Sequence, residues 1–156
     1  MNPIERPPYV RRPHERGVAV EVEAPDWRGL LAAAALGLSD VIRPLGRFGT
    51  WTARRISAKA PGREAVMAHW LARVLLDHRE TGFSTALVEV EKAEEGRAAG
   101  ILRGGCIDPA DDPPAFDASD VPAEEVEVHP GPEGQAWKAR FVVAGCEPGR
   151  GTAAKA

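Results

Sequence analysis

The sequence predicts an α+β fold, a two-layer sandwich in which two amphipathic helices lie on a mixed β-sheet of about six strands. Three observations predict it. Apolar residues recur at helical spacing in two stretches, Trp27 to Ile42 and Met67 to His78. They alternate with polar residues at period two in several others. The length of 156 residues suits one hydrophobic core and is short for two.

Each element follows from its local residues. The first thirteen positions hold four of the fourteen prolines, which deny a helix and a central-strand ladder, so an extended lead-in is expected over 1–13. Val18, Val20 and Val22 alternate with Ala19, Glu21 and Glu23, giving a first strand over 18–23. Asp26 then offers a side-chain oxygen to the orphan amides of a helix start. Trp27, Leu30, Leu31, Ala34, Leu38, Val41 and Ile42 make one apolar helical face, and Pro44 and Gly46 end it. Trp51, Ala53, Ile56 and Ala58 suggest a second strand, closed by Ala60-Pro61-Gly62. The second helix carries Met67, Trp70, Leu71, Val74, Leu75 and His78, with Thr81-Gly82 as its stop. Thr85 to Lys92 and Arg97 to Ile107 form a hairpin around Glu94-Glu95-Gly96. Asp108 to Pro122 holds four prolines without periodicity and reads as a long acidic loop. Short alternation at Val126 and Val128, then Trp137 to Val143, supply the last two strands, and 146–156 reads as a flexible tail.

Charge is segregated although the net value is only -3. Arg43, Arg47, Arg54, Arg55, Lys59 and Arg63 lie in one stretch without an acid, whereas Cys106 to Ala136 holds nine acids without a Lys or Arg. The basic segment interleaves Phe48 and Trp51, a combination suited to phosphates and stacked bases. The simpler arrangement packs Trp51 and Ile56 inward and leaves the arginines in water. No apolar run reaches the roughly 18 residues of a membrane span. The N-terminal stretch lacks the apolar region of a secretory signal, so a soluble cytoplasmic protein is expected, with Cys106 and Cys146 as reduced structural thiols.

Enzyme and cofactor motifs do not assemble. His14, His69, His78 and His129 are scattered and make no zinc-ligand pair. His78 continues an apolar stripe and reads as a partly buried, hydrogen-bonded histidine. No serine, threonine or cysteine sits in a nucleophile elbow, and no phosphate-cradling glycine motif is present. No catalytic residue, enzymatic activity or cofactor is expected.

The element order and several stretches resemble the archease family, accessory proteins of the GTP-dependent RNA ligase that joins tRNA halves. Ala34 to Ile42 is similar to the family's A-x-A-L-F-D-V-M. Trp70 to Asp77 with Glu80-Thr81-Gly82-Phe83 is similar to W-L-N-E-L-L-Y-L and T-E-G-F. Gly105, Asp108-Pro109 and Trp137 to Val143 resemble G-E-x-L-D-P and W-x-A-x-V-V-F. The resemblance spans residues 14–145, the expected single domain. It implies a non-enzymatic role, with an RNA ligase as partner and weak contact with RNA.

It also implies a divalent cation, commonly calcium, but the implied ligands are missing. The family's H-T-A-D falls on His14-Glu15-Arg16-Gly17, which puts Gly17 at the aspartate position. The carboxylate after the last strand falls on Ala144 and Gly145. The family's lysine and histidine in V-K-A-x-T-Y-H fall on Ser119 and Glu124. A hard cation needs several oxygens at about 2.0–2.6 Å, and their charge sets its affinity. A degenerate, metal-free site is therefore expected, in which Glu15 would restore a carboxylate only if a bulge redirected it. His14 and Glu15, with Arg54 and Arg55 of the basic segment, are the candidate partner contacts. The other reading of the chain is a repurposed binding module that meets RNA or another protein through Arg43 to Arg63.

Overall fold

The computed structural model describes residues 9–43, 51–107 and 113–147. Arg47, Phe48, the Pro44 to Gly46 helix stop, the first part of the acidic loop, most of the lead-in and most of the tail lie outside those residues.

Among the described residues the elements follow in the order β1 (Tyr9–His14), β2 (Gly17–Ala24), α1 (Trp27–Ile42), β3 (Thr52–Lys59), α2 (Arg63–Thr81), β4 (Phe83–Ala93), β5 (Arg97–Cys106) and β6 (Asp117–Asp120). A single 3-10 turn (Ala123–Glu125), β7 (Glu127–His129) and β8 (Trp137–Cys146) complete it. The fold is α+β as the periodicities imply. The strands, however, form two antiparallel sheets where one mixed sheet was expected. One runs β1-β2-β8, with β6 and β7 sharing the far edge of β8, and the other runs β3-β5-β4. Period-two alternation reports which face of a strand is buried but not which strand lies beside it, so the division was invisible locally.

Two strands are additions. Tyr9–His14, expected to be an unpaired lead-in, pairs with β2 as an edge strand, where the missing amide of Pro13 is tolerated. Asp117–Asp120, expected to be loop, pairs with the end of β8.

Both helices contact both sheets. That placement buries α1 well beyond its apolar stripe, enclosing Ala33, Ala35, Gly37, Ser39 and Asp40 as well. Asp26 caps α1 through Gly29 N–H at 2.7 Å. Gly82, at φ 74°, ends α2 by donating to the His78 carbonyl at 2.8 Å. Trp70 is fully buried and its indole N–H donates to the Leu31 carbonyl at 3.0 Å, tying α2 to α1. The hydroxyl of Tyr9 donates to buried Asp40 and pins β1 to α1.

Candidate functional site

The antiparallel register decides which distant residues meet. Gly17, the first residue of β2, stands opposite Ala144 of β8, and Ala144 in turn faces Asp120 of β6. The register slips between Ala118 and Asp120, which places Ser119 in a bulge, and its hydroxyl donates to the Ala144 carbonyl at 3.2 Å. The 3-10 turn brings Glu124 to the Arg16 guanidinium at 3.0 Å. Gly17, Ala144 and the Ser119 to Glu124 stretch, which belong to three segments far apart in the sequence, thus converge on one strand junction.

His14 and Gly17 pair across the β1–β2 hairpin, leaving Glu15 and Arg16 as its turn. Glu15 is exposed in that turn, so the bulged strand position considered for it does not exist. The His14 Nδ1 accepts from the Arg16 N–H at 3.0 Å, and the Arg16 carbonyl accepts from Gly145 N–H at 3.0 Å. His14 and Glu15 line a cleft of about 640 Å3 beside the junction, with Arg11, Arg12, Phe116 and Cys146.

A divalent cation at this junction would need several carboxylate or carbonyl oxygens. Gly17 has φ 154°, and a Cβ there would lie 2.2 Å from the Val143 carbonyl oxygen. Gly145 has φ 150°, and a Cβ there would lie 2.1 Å from the Asp117 carbonyl oxygen. Neither position has room for a carboxylate-bearing side chain. The Ala144 side chain offers no ligand atom, its carbonyl accepts from Ser119, and the Arg16 carbonyl accepts from Gly145. Among the described residues no group of three or more His, Cys, Asp or Glu is arranged to hold a metal ion. The described residues of this junction do not fit the ion.

A residue that motif matching passed over, Arg16, carries the charge at this junction. Its hydrogen bond to Glu124 raises its pKa, and Glu125 and Asp120 act in the same direction. Glu124 is held below the ordinary carboxylate range by a hydrogen bond from its own backbone and then by Arg16. Arg140 of β8 reaches Glu127 at 3.6 Å and Glu125 at 4.0 Å, so two arginines face the acids that follow β6. The signal available beforehand was the run of acids from Asp117 to Glu127, which attracts basic side chains brought near it by the fold.

The basic segment does not form one open surface. Arg43 is only 3% exposed and Ile56 2%, whereas Trp51, expected to pack inward, is 47% exposed. Arg43 is buried because it caps the end of α1 inside the fold. Arg55 pairs with Glu91 across the sheet at 2.7 Å, and Arg54 lies over the Phe83 ring at 5.4 Å. Arg63 stacks on Trp137 at 5.1 Å. Arg54 and Arg55 therefore stand on β3, in a different sheet from His14 and Glu15, and the four candidate contacts do not meet. Cys106 and Cys146, expected to be structural thiols, are both exposed at strand ends.

The model of the archease protein family matches residues 9–143. The chain belongs to the archease family. Among solved structures it is similar to protein 1598 of Methanobacterium thermoautotrophicum, with a TM-score of 0.65 and 16% identity, covering 87% of this chain and 97% of that one. At that identity the likeness shows the archease fold alone. No curated protein matches. No described helix is long and apolar enough to cross a membrane. The family match begins at Tyr9 and so includes β1.

Proposed function

We propose that this archease-family protein is a non-catalytic cytoplasmic accessory factor that assists the activation or turnover of a GTP-dependent RNA ligase of the tRNA-splicing type. The observation that carries the reading is the family match over residues 9–143, which takes in both helices and β1 to β7 and ends within β8. The convergence of Gly17, Ala144, Ser119 and Glu124 on one junction supports it, because positions matched to separate family motifs meet in space. The cleft lined by His14 and Glu15 opens at that junction and is the face offered to the ligase.

The role of this chain is docking and orientation. An acid–base mechanism would need a titratable pair poised on a substrate, whereas the acids here are engaged by Arg16 and Arg140. The test is reconstitution with the organism's own ligase. Equimolar protein raises multiple-turnover ligation while leaving the first turnover unchanged. Absence of any stimulation rejects the reading.

A further inference from the structure

We propose that the exposed face of the β3-β5-β4 sheet binds single-stranded RNA, with Lys59, Lys92 and Arg97 meeting its phosphates and Trp51 stacking on a base. The sheet has two unlike faces. Ile56 and Ala58 of β3, with Ala98 and Leu102 of β5, are buried in the core, whereas Arg55, Ser57 and Lys59 alternate with them and are exposed.

Strand register sorts the charges on that outer face. Arg55 pairs with Glu91 at 2.7 Å and Arg103 with Glu89 at 3.0 Å, so the middle of the sheet is neutralised. At one end Lys59 stands directly opposite Arg97, and Lys92 stands opposite Ala99, two residues along from Arg97. Side chains directly opposite lie about 5 Å apart and diagonal neighbours about 7–8 Å, so three cations gather on one corner. Among the described residues none of the three side chains makes an ion pair or hydrogen bond, and Glu94 and Glu95 of the adjoining turn do not engage them. Like charges directly opposite each other destabilise a strand pair, so this corner works against the fold and answers to an anionic ligand.

Trp51 favours RNA over an acidic protein segment. It is 47% exposed and lines a shallow cleft of about 220 Å3 with Thr52, Ala53 and Arg103. Lys59 lies eight residues farther along β3, a span of about 26 Å at about 3.3 Å per residue. Small side chains, Ala53, Ser57 and Ala99, leave the intervening face accessible. An exposed ring and a separate group of cations on one open sheet suit a strand with unstacked bases and a charged backbone.

The inference goes beyond the ligase reading and is tested on the full-length protein without ligase, so the two can fail separately. The probe is a fluorescein-labelled oligouridylate of about twelve nucleotides, followed by anisotropy. Three phosphate contacts predict that log affinity falls with log salt at a slope of about −2, a loss of about 15–20-fold between about 50 and 200 mM sodium chloride. Lys59→Gln, Lys92→Gln and Arg97→Gln are each expected to reduce that slope by about 0.7, and the triple variant to abolish binding. Trp51→Ala is expected to weaken binding about tenfold at an unchanged slope, with Trp51→Phe in between. Arg73→Gln and Lys138→Gln, on other surfaces, leave binding as it is. Lys59→Gln is also expected to hold or raise Tm, because it relieves the like-charge pair.

Absence of saturable binding at low salt overturns the proposal, as does a triple variant that binds like the parent. Equal affinity for polyglutamate makes the corner an acidic-protein site and overturns RNA as its occupant. Equal affinity for duplex RNA, with Trp51→Ala unaffected, overturns the stacking role. A Tm lowered by Lys59→Gln means that the pair serves the fold, and overturns the argument for a ligand. Should the triple variant fail to fold, salt slopes unchanged in all three single variants overturn the proposal.

Discussion

Gly17 and Ala144 stand directly opposite each other on neighbouring antiparallel strands, although 126 residues of chain lie between them. The pairing makes the strand junction a property of the β2–β8 register. It also makes the space at Gly17 a constraint on what this junction can hold.

Substitution of Gly17 should be costly. Gly17→Ala places a Cβ 2.2 Å from the Val143 carbonyl oxygen at a backbone angle that side chains rarely adopt. Gly134 also has a positive φ, of 80°, but open space around it, so Gly134→Ala carries backbone strain without the collision. Urea unfolding should show Gly17→Ala destabilised by about 2–4 kcal/mol and Gly134→Ala by about 1–2 kcal/mol. Equal losses would mean that the strand end yields to the added methyl. Gly17→Asp should be at least as destabilised, and should acquire no calcium binding in calorimetry.

Trp70 fills the contact between the helices and lies against Gly100 of β5. Trp70→Ala should cost about 3–5 kcal/mol in chemical denaturation through the cavity it leaves. Trp70→Phe keeps most of the volume but removes the indole hydrogen bond to the Leu31 carbonyl, and should cost about 0.5–1.5 kcal/mol.

Tyr9→Phe removes the hydroxyl that donates to buried Asp40. The expected loss is about 1–3 kcal/mol, because a buried carboxylate forfeits a donor. Hydrogen exchange should report it first as faster opening of the β1 amides that pair with β2.

His78 sets a pH dependence. Burial lowers its pKa from 6.5, with Arg43 adding to the fall; the Phe83 backbone and Asp117 oppose it, and Arg79 reinforces it. In the unfolded chain the imidazole takes a proton near pH 6.5, while the folded protein keeps it neutral to lower pH. The unfolded state therefore binds more protons between the two values, and stability falls as pH drops through that window. Tm should decline on going from pH 7.5 toward pH 5.5, and His78→Gln should flatten that decline. Asp77, whose pKa burial raises, favours the folded state in the opposite sense at lower pH, so the His78 difference is best read above pH 5.5.

Both helices were legible because each carries an apolar stripe and a terminal signal of its own. Asp26 caps α1 and Gly82 ends α2 where the sequence places them. The β4–β5 hairpin was legible for the same reason, since its turn and both alternating runs are contiguous. β1 was missed because its prolines and exposed residues describe an edge strand and a lead-in equally well. β6 was missed because four residues in an acidic, proline-rich stretch have no period to detect. The family motifs located Gly17, Ala144, Ser119 and Glu124 one at a time but gave no sign of Arg16, which matters only through a partner 108 residues away.

The sequence by itself determined the α+β class, the two helices with the start of α1 and the stop of α2, and the separation of basic from acidic stretches. Those are local properties, written in side-chain chemistry and in spacing over a few residues. Tertiary structure alone decided that the strands divide into two sheets, that Arg43 is buried while Trp51 is not, and that Arg16 meets Glu124. Those outcomes depend on strand register and on which faces cover one another, and both are settled only when distant segments bury their apolar surfaces together.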